Sequence, residues 1–281
     1  MVDTNTTIPL SELLLYAAVK LVRISNGKPN GSGTGFYYTI LAGDLDIPLI
    51  VTNKHVIEGC TEIKVTCHLT KSSTPTEPSG EFIDLLLKTG SAFLHPDSEV
   101  DLCAIPVGPL CHQAEVEIGR KIFRATFTRE QIPDATTWAG LAAIEEVTMV
   151  GCPSGIFDEV NNLPIFRRGI TASAPSKLYN GKAEFMVDMA CYPGSSGSPV
   201  VILNQGTYFA KGGINVGSRF HFLGVLYAGP VVTNQGIVLG TTPKVAVQAM
   251  MHLGQVIRST ELLVLEQKIL SVLPKPDLGK L

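Results

Sequence analysis

Short apolar runs, each broken by Gly, Pro, Asn, Asp or Ser, dominate the first part of the chain. VKLVRIS, GTGFYYTI, PLIVTNKHV, EIKVTCHLT, EFIDLLLK and DLCAIPV are rich in β-branched or aromatic residues and predict strands. Ahead of them, Ser11 can cap a short helical turn running to Ala18, where the leucines favour helix. Between Gly108 and Gly140 the strand signal weakens, which predicts a joint between two halves. A second set follows: EEVTMVGCP, FRRGITASA, AEFMVDMA, SPVVILN, TYFAKG, RFHFLGVLYAG and GIVLGTT. The end changes period. Thr242-Pro243 reads as a helix start into KVAVQAMMHLG with Gly254 as its stop, and Leu262, Leu265, Ile269 and Val272 recur at helical spacing as one apolar face. That last helix is expected to dock on the body of the protein, with LPKPDLGKL as a loose tail.

Composition narrows the picture. At 281 residues and 45% hydrophobic the chain can bury a large core. Its 27 glycines and 18 prolines follow no period, which suits an all-β protein with many turns and excludes a collagen-like one. A net charge of −3 offers no broad basic field, so a nucleic-acid partner is not expected. ELLLYAAVKLV is too short and too interrupted by Lys20 to span a bilayer, and MVDTNTT lacks the cationic start of a secretory signal. The expectation is a cytosolic protein that does not engage membranes. Its six cysteines are then reduced thiols packed as small apolar groups. Cys67-His68 and Cys111-His112 come with no CxxC spacing, so no metal and no cofactor is expected.

Candidate chemistry lies in CYPGSSGSPV, residues 191–200. Serine-based hydrolysis needs a hydroxyl, an imidazole to take its proton, a carboxylate to orient the imidazole, and backbone N–H groups aimed at the oxyanion. His55 lies where the strand of PLIVTNKHVIEG leaves the core, Asp101 opens the strand DLCAIPV, and Ser196 sits between Gly194 and Gly197. Glycine at 194 lets a bare N–H approach a carbonyl, and glycine at 197 permits a tight turn behind the hydroxyl. Each fragment alone has an ordinary structural explanation: a solvated histidine, a capping aspartate, a linker. Their joint occurrence in the order His, Asp, Ser points to nucleophilic catalysis. An α/β-hydrolase would need the opposite order and alternating strands and helices. GSGTG at 31–35 leads into a strand and lacks a P-loop lysine, so it does not predict phosphate binding. Arg167-Arg168 reads as a solvated strand edge.

These residues resemble the chymotrypsin-like serine peptidases, most closely their bacterial trypsin-type and HtrA-like branch. The matching pieces, in family order from Gly31 to Pro243, are GSGTGFYY, VTNKHVIEG, DLCAIPV, VGCPSG with RRGITASA, GSSGSPVV, LGVLYAG and GIVLGTTP. The resemblance implies an all-β fold of two packed six-stranded antiparallel barrels with C-terminal helices. It implies an N-terminal helix and first strand over 1–25, a first barrel over 26–110 and a connection over 111–140. A second barrel over 141–243 and C-terminal helices with a tail over 244–281 complete the chain. His55 and Asp101 would come from the first barrel and Ser196 from the second. The oxyanion donors would be the N–H groups of Gly194 and Ser196, and Tyr227, Ala228 and Gly229 would pair with the substrate backbone. Ala190, Cys191 and Tyr192 would line the side-chain pocket.

Ala190 stands where trypsin has its pocket carboxylate, so the implied preference is a small or medium apolar residue before the scissile bond. A shifted alignment would instead make Asp188 a cation receptor. Ser195 replaces the aspartate that receives a new N-terminus in digestive members, Val56 replaces a disulfide cysteine, and control by a PDZ module is not expected. The implied partner is a protein or peptide substrate, with restraint by a regulatory protein or a gated oxyanion loop. A partner-gated or inactive scaffold built on the same fold stays open as the alternative.

Overall fold

The structure, a computed structural model, describes residues 8–43, 45–210, 212–237 and 244–273. The N-terminal turn of helix is α1 (Leu10–Leu13), continued by a 3-10 turn over Leu14–Tyr16. Eight strands then build the first half: β1 (Ala18–Ser25), β2 (Lys28–Ala42), β3 (Leu45–Thr52), β4 (Glu62–Thr70), β5 (Pro78–Lys88), β6 (Phe93–Leu94), β7 (Cys103–Pro106) and β8 (Ile122–Phe123). Alternation drives them together. In β4, Ile63, Val65 and Cys67 are buried while the residues between them are less so, as a strand with one face on a core requires.

The strands of the first half form one sheet in the order β5-β4-β1-β2-β3-β7-β6, with β8 on β4. This corrects the expectation of two six-stranded barrels: among the described residues no ladder joins β5 to β6. With two residues, β6 is too short to carry the ladder round to β5. The second half does close. Strands β9 (Glu146–Gly151), β10 (Ile165–Thr171), β11 (Glu184–Asp188), β12 (Pro199–Asn204), β15 (Arg219–Ala228) and β18 (Leu253–Arg258) form a barrel in the order β10-β11-β18-β15-β12-β9. Two hairpins stand outside it, β13 (Thr207–Ala210) with β14 (Gly213–Val216) and β16 (Val231–Ile237) with β17 (Lys244–Met250).

The segment with weak strand signal carries α3 (Gly108–Ile118), which follows the one-turn helix α2 (Lys54–Ile57) in chain order. Pro109 sits in the first turn of α3 and Gly119 ends it in the left-handed region. A shorter helix, α4 (Ala135–Gly140), follows, capped by Asp134. The helix expected over KVAVQAMMHLG is instead β17 and the start of β18. Register from Val231↔Met250 to Ile237↔Lys244 gives this segment a β-branched partner strand, and long-range pairing overrides its local helical reading. Gly254, read as a helix stop, lies in β18, where a Cβ would come within 2.6 Å of both Cys191 Sγ and Leu226 Cδ1. The Thr242-Pro243 cap, the end of GIVLGTT and most of the C-terminal tail lie outside the described residues.

The final helix is α5 (Thr260–Val272). Leu262, Leu265 and Ile269 are buried as its periodicity predicts, but Val272 is exposed. Those three leucine and isoleucine side chains join Phe36, Tyr38 and Phe127 from the first half and Phe222 from the barrel in one core that spans the two halves. Each half keeps a second core of its own. All six cysteines are buried and unbridged.

Candidate active site

Antiparallel pairing of β3 with β7 sets Thr52 opposite Cys103. Three residues beyond Thr52 and two before Cys103 therefore fall at the same end of the sheet, which is where His55 and Asp101 lie. The turn α2 carries the imidazole outward, and Asn53 Nδ2 donates to the Asp101 carbonyl at 2.7 Å to tie the two segments. Lys54 Nζ donates to the Asp97 carbonyl at 2.8 Å on the same loop. The result is a two-point contact. His55 Nδ1 lies 2.5 Å from Asp101 Oδ2, and the His55 backbone N–H donates to Asp101 Oδ1 at 3.1 Å.

Burial works to raise the Asp101 carboxyl. The hydrogen bond and charge of His55, with the backbone N–H groups of His55 and Lys54, outweigh burial and hold it below the ordinary aspartate range. An open groove of about 660 Å³ borders the pair, lined in part by Lys54, Ile57, Glu58 and Leu94.

Ser196 comes from the barrel on a turn that only glycines allow. Gly194 and Gly197 both have φ +87°. A Cβ at Gly197 would sit 1.9 Å from the Thr34 carbonyl oxygen, and one at Gly194 would sit 2.9 Å from both the Cys152 carbonyl oxygen and the Ser154 nitrogen. The turn is pressed on the first half at the strands that lead to His55: the Thr34 N–H donates to the Ser196 carbonyl at 2.9 Å, and Thr52 Oγ1 donates to the Thr34 carbonyl at 2.7 Å. The Ser196 hydroxyl itself donates to the Tyr227 carbonyl at 3.3 Å. Among the described residues no hydrogen bond joins it to His55. Tyr227 lies at a register shift between β15 and β18, so its carbonyl falls outside the ladder.

The amides expected to face an oxyanion are laid out by their neighbours. The Ser154 N–H donates to the Pro193 carbonyl at 2.5 Å, and no described peptide bond is cis. A trans peptide carries its C=O and N–H in opposite directions, so the Gly194 N–H points away from Ser154. Among the described residues neither the Gly194 nor the Ser196 N–H has a partner.

Two of the residues expected at the side-chain pocket lie close together. A Cβ at Gly229 would come within 3.8 Å of Cys191 Cβ. Cys191 is buried among Leu226, Val256 and Met189, and that burial pushes its thiol up to about 11. Ala190 is half-buried and Tyr192 more exposed, with its ring edge-on to His252. Asp188 is exposed at the end of β11.

Sequence reasoning missed Thr34, Arg167 and His252. Arg167, read as a solvated strand edge, lies with its guanidinium 5.3 Å from the Tyr192 ring centre, whereas Arg168 pairs with Glu146. His252 accepts the Met189 N–H on its carbonyl and has φ +59°. Only the two glycines flanking Thr34 were available as a signal. Among the described residues no group of three or more His, Cys, Asp or Glu side chains is placed to hold a metal, and no helix is long and apolar enough to cross a membrane.

A solved structure, the serine endoprotease from Yersinia pestis, is similar at 14% identity with a TM-score of 0.47, over 92% of this chain and 64% of that one. The chain thus spans less than two thirds of that protein. A search of curated proteins finds no match. A family model for the trypsin-like peptidase domain matches residues 33–210, which include His55, Asp101 and Ser196. The chain belongs to the trypsin-like peptidase domain family.

Proposed function

We propose that this chain is a serine endopeptidase acting on protein or peptide substrates. The carrying observation is the two-point contact of His55 with Asp101, at the end of the sheet against which the Ser196 turn is pressed. In the reaction, Ser196 Oγ attacks the scissile carbonyl carbon as His55 Nε2 takes its proton, and Asp101 stabilises the imidazolium. The N–H groups of Gly194 and Ser196 receive the oxyanion. Collapse breaks the C–N bond, with the His55 proton passing to the leaving amine. Water, deprotonated by His55, then releases the acid from the acyl-enzyme. Tyr227, Ala228 and Gly229 pair with the substrate backbone.

Ala190 and the buried Cys191, with Gly229 close across from it, support a small apolar residue before the scissile bond. Ala190 itself carries no charge to hold a cation. The test is a fluorophosphonate probe followed by a peptide panel differing at that residue. Labelling of the wild type that disappears in Ser196→Ala supports the reading; a faster reaction with Lys or Arg peptides sinks the small apolar preference.

One observation favours a gated form of the same site. The Ser196 hydroxyl is held by the Tyr227 carbonyl, not by His55, so it must turn before it can lose its proton to the imidazole. A partner or substrate that occupies the Tyr227 carbonyl would release it. A wild type that labels only after a peptide or partner is added would support gating, and immediate labelling would remove it.

A further inference from the structure

Period-2 alternation turns Thr34 toward the barrel while its neighbours pack inward on the first half. A Cβ at Gly33 would come within 2.6 Å of Val56, and one at Gly35 within 2.8 Å of Ile50, so only glycine fits on that side. Thr34 between them is fully buried. Three of its polar contacts cross to the other half. Its N–H donates to the Ser196 carbonyl at 2.9 Å, its hydroxyl donates to the Gly194 carbonyl at 2.9 Å, and its hydroxyl oxygen accepts the Cys152 N–H at 3.0 Å.

Two successive peptide planes are fixed here, the second of them by Thr34. The Pro193 carbonyl is held by the Ser154 N–H, and the Gly194 carbonyl is held by the Thr34 hydroxyl. The same hydroxyl ties down Cys152, two residues before Ser154, so one oxygen joins the loop that carries the amides to the loop that orients them. Glycine at 194 has the widest backbone freedom in the turn, and without an anchor its peptide can rotate. No carboxylate precedes Ser196 to anchor it, because residue 195 is serine.

We propose that Thr34 is a positioning residue for acyl transfer: from the first half of the chain, its hydroxyl fixes the Gly194–Ser195 peptide, the plane that lies between those carrying the Gly194 and Ser196 N–H groups, and so limits how far either donor can turn. The inference rests on the peptidase reading above. It goes beyond it by assigning control of the oxyanion loop to a residue that touches no reacting atom.

Thr34→Val keeps the shape and removes the hydroxyl; Thr34→Ser keeps the hydroxyl and removes a methyl group. Both are compared with wild type for kcat and KM on one peptide, for the rate of fluorophosphonate labelling, and for hydrogen exchange of the peptide covering residues 192–198. Loss of a preorganised donor predicts that Thr34→Val lowers kcat and labelling by about a hundredfold, with KM changed only a few-fold. Exchange over 192–198 should quicken in the same variant, and Thr34→Ser should stay within about tenfold of wild type. If circular dichroism shows Thr34→Val unfolded, Thr34→Ala against Thr34→Ser carries the same comparison.

A folded Thr34→Val with wild-type kcat overturns the proposal, as does an equal loss in the Ser and Val variants, which would mark packing as the cause. A wild type that never labels removes the peptidase reading itself; a wild type that labels beside an unaffected Val variant removes only the role of Thr34.

Discussion

Two histidine–carboxylate pairs occur among the described residues, and their surroundings drive them in opposite directions. His55 and Asp101 meet at 2.5 Å with side chains 44% and 23% exposed, whereas His95 and Glu261 meet at 3.3 Å with 1% and 18%. Asp101 collects donors from the imidazole and from the backbone, and its carboxyl falls below the ordinary range. Glu261 is pushed up: burial raises it, His95 lowers it, and nearby Asp97 raises it further. His95 Nδ1 accepts the Asp97 N–H, leaving Nε2 within ion-pair distance of Glu261 but without the geometry of a hydrogen bond. The first pair borders a groove and the second joins α5 to the loop before Asp101. The two pairs share residue types and differ in access and in the number of donors that converge on the carboxylate, which is what drives their carboxyls apart.

The sharpest way to break this comparison is to remove each imidazole. His55→Ala should lower the rate of Ser196 acylation by about a millionfold, as loss of a general base does in such sites. His95→Ala should leave that rate unchanged within about a few-fold and lower thermal stability by about 2 kcal/mol. Similar losses of acylation from both would erase the distinction.

Next come the carboxylates. Asp101→Asn should cost about ten-thousandfold in kcat, because the imidazole is then held in the wrong tautomer, while Glu261→Gln should cost less than about tenfold. Steady-state rates on one peptide decide.

The smallest effect is the pH dependence. Carboxyl carbon NMR should place the Asp101 midpoint below, and the Glu261 midpoint above, that of the same residue in the unfolded chain. A depressed carboxyl contributes stability that is present above its unfolded midpoint and is lost as pH falls through the folded one. A raised carboxyl does the reverse, costing stability as pH rises from its unfolded to its folded midpoint. The melting temperature of Glu261→Gln relative to wild type should thus improve from mildly acidic to neutral pH. A difference that shrinks over that range would contradict the assigned direction.

Much of the fold was legible where alternation is strong and one face is buried, as at the start of β4, and where a short apolar run is buried on both faces, as in β12, whose Val200, Val201 and Ile202 are fully buried. Legibility failed where local and long-range preferences disagree. KVAVQAMMHLG has helix formers in abundance, yet its valines pair across a hairpin. Around the candidate site, His55, Asp101 and Ser196 stand out because their chemistry is specific and their order matches a known family. Thr34 did not stand out, since a threonine in a strand is ordinary and its three contacts come from residues far along the chain.

By itself the sequence determined the strand-rich architecture, the N-terminal turn, the buried face of α5 and the residue types able to carry acyl transfer. These depend on side-chain period and chemical identity, which are local properties. Only the tertiary structure decided that the second half closes as a barrel while no ladder joins β5 to β6 among the described residues, that the Ser196 hydroxyl rests on the Tyr227 carbonyl, and that the peptide before Ser195 is anchored from the opposite half. Hydrogen-bond partners and peptide orientations are set by which distant segments meet, and no stretch of sequence carries that information alone.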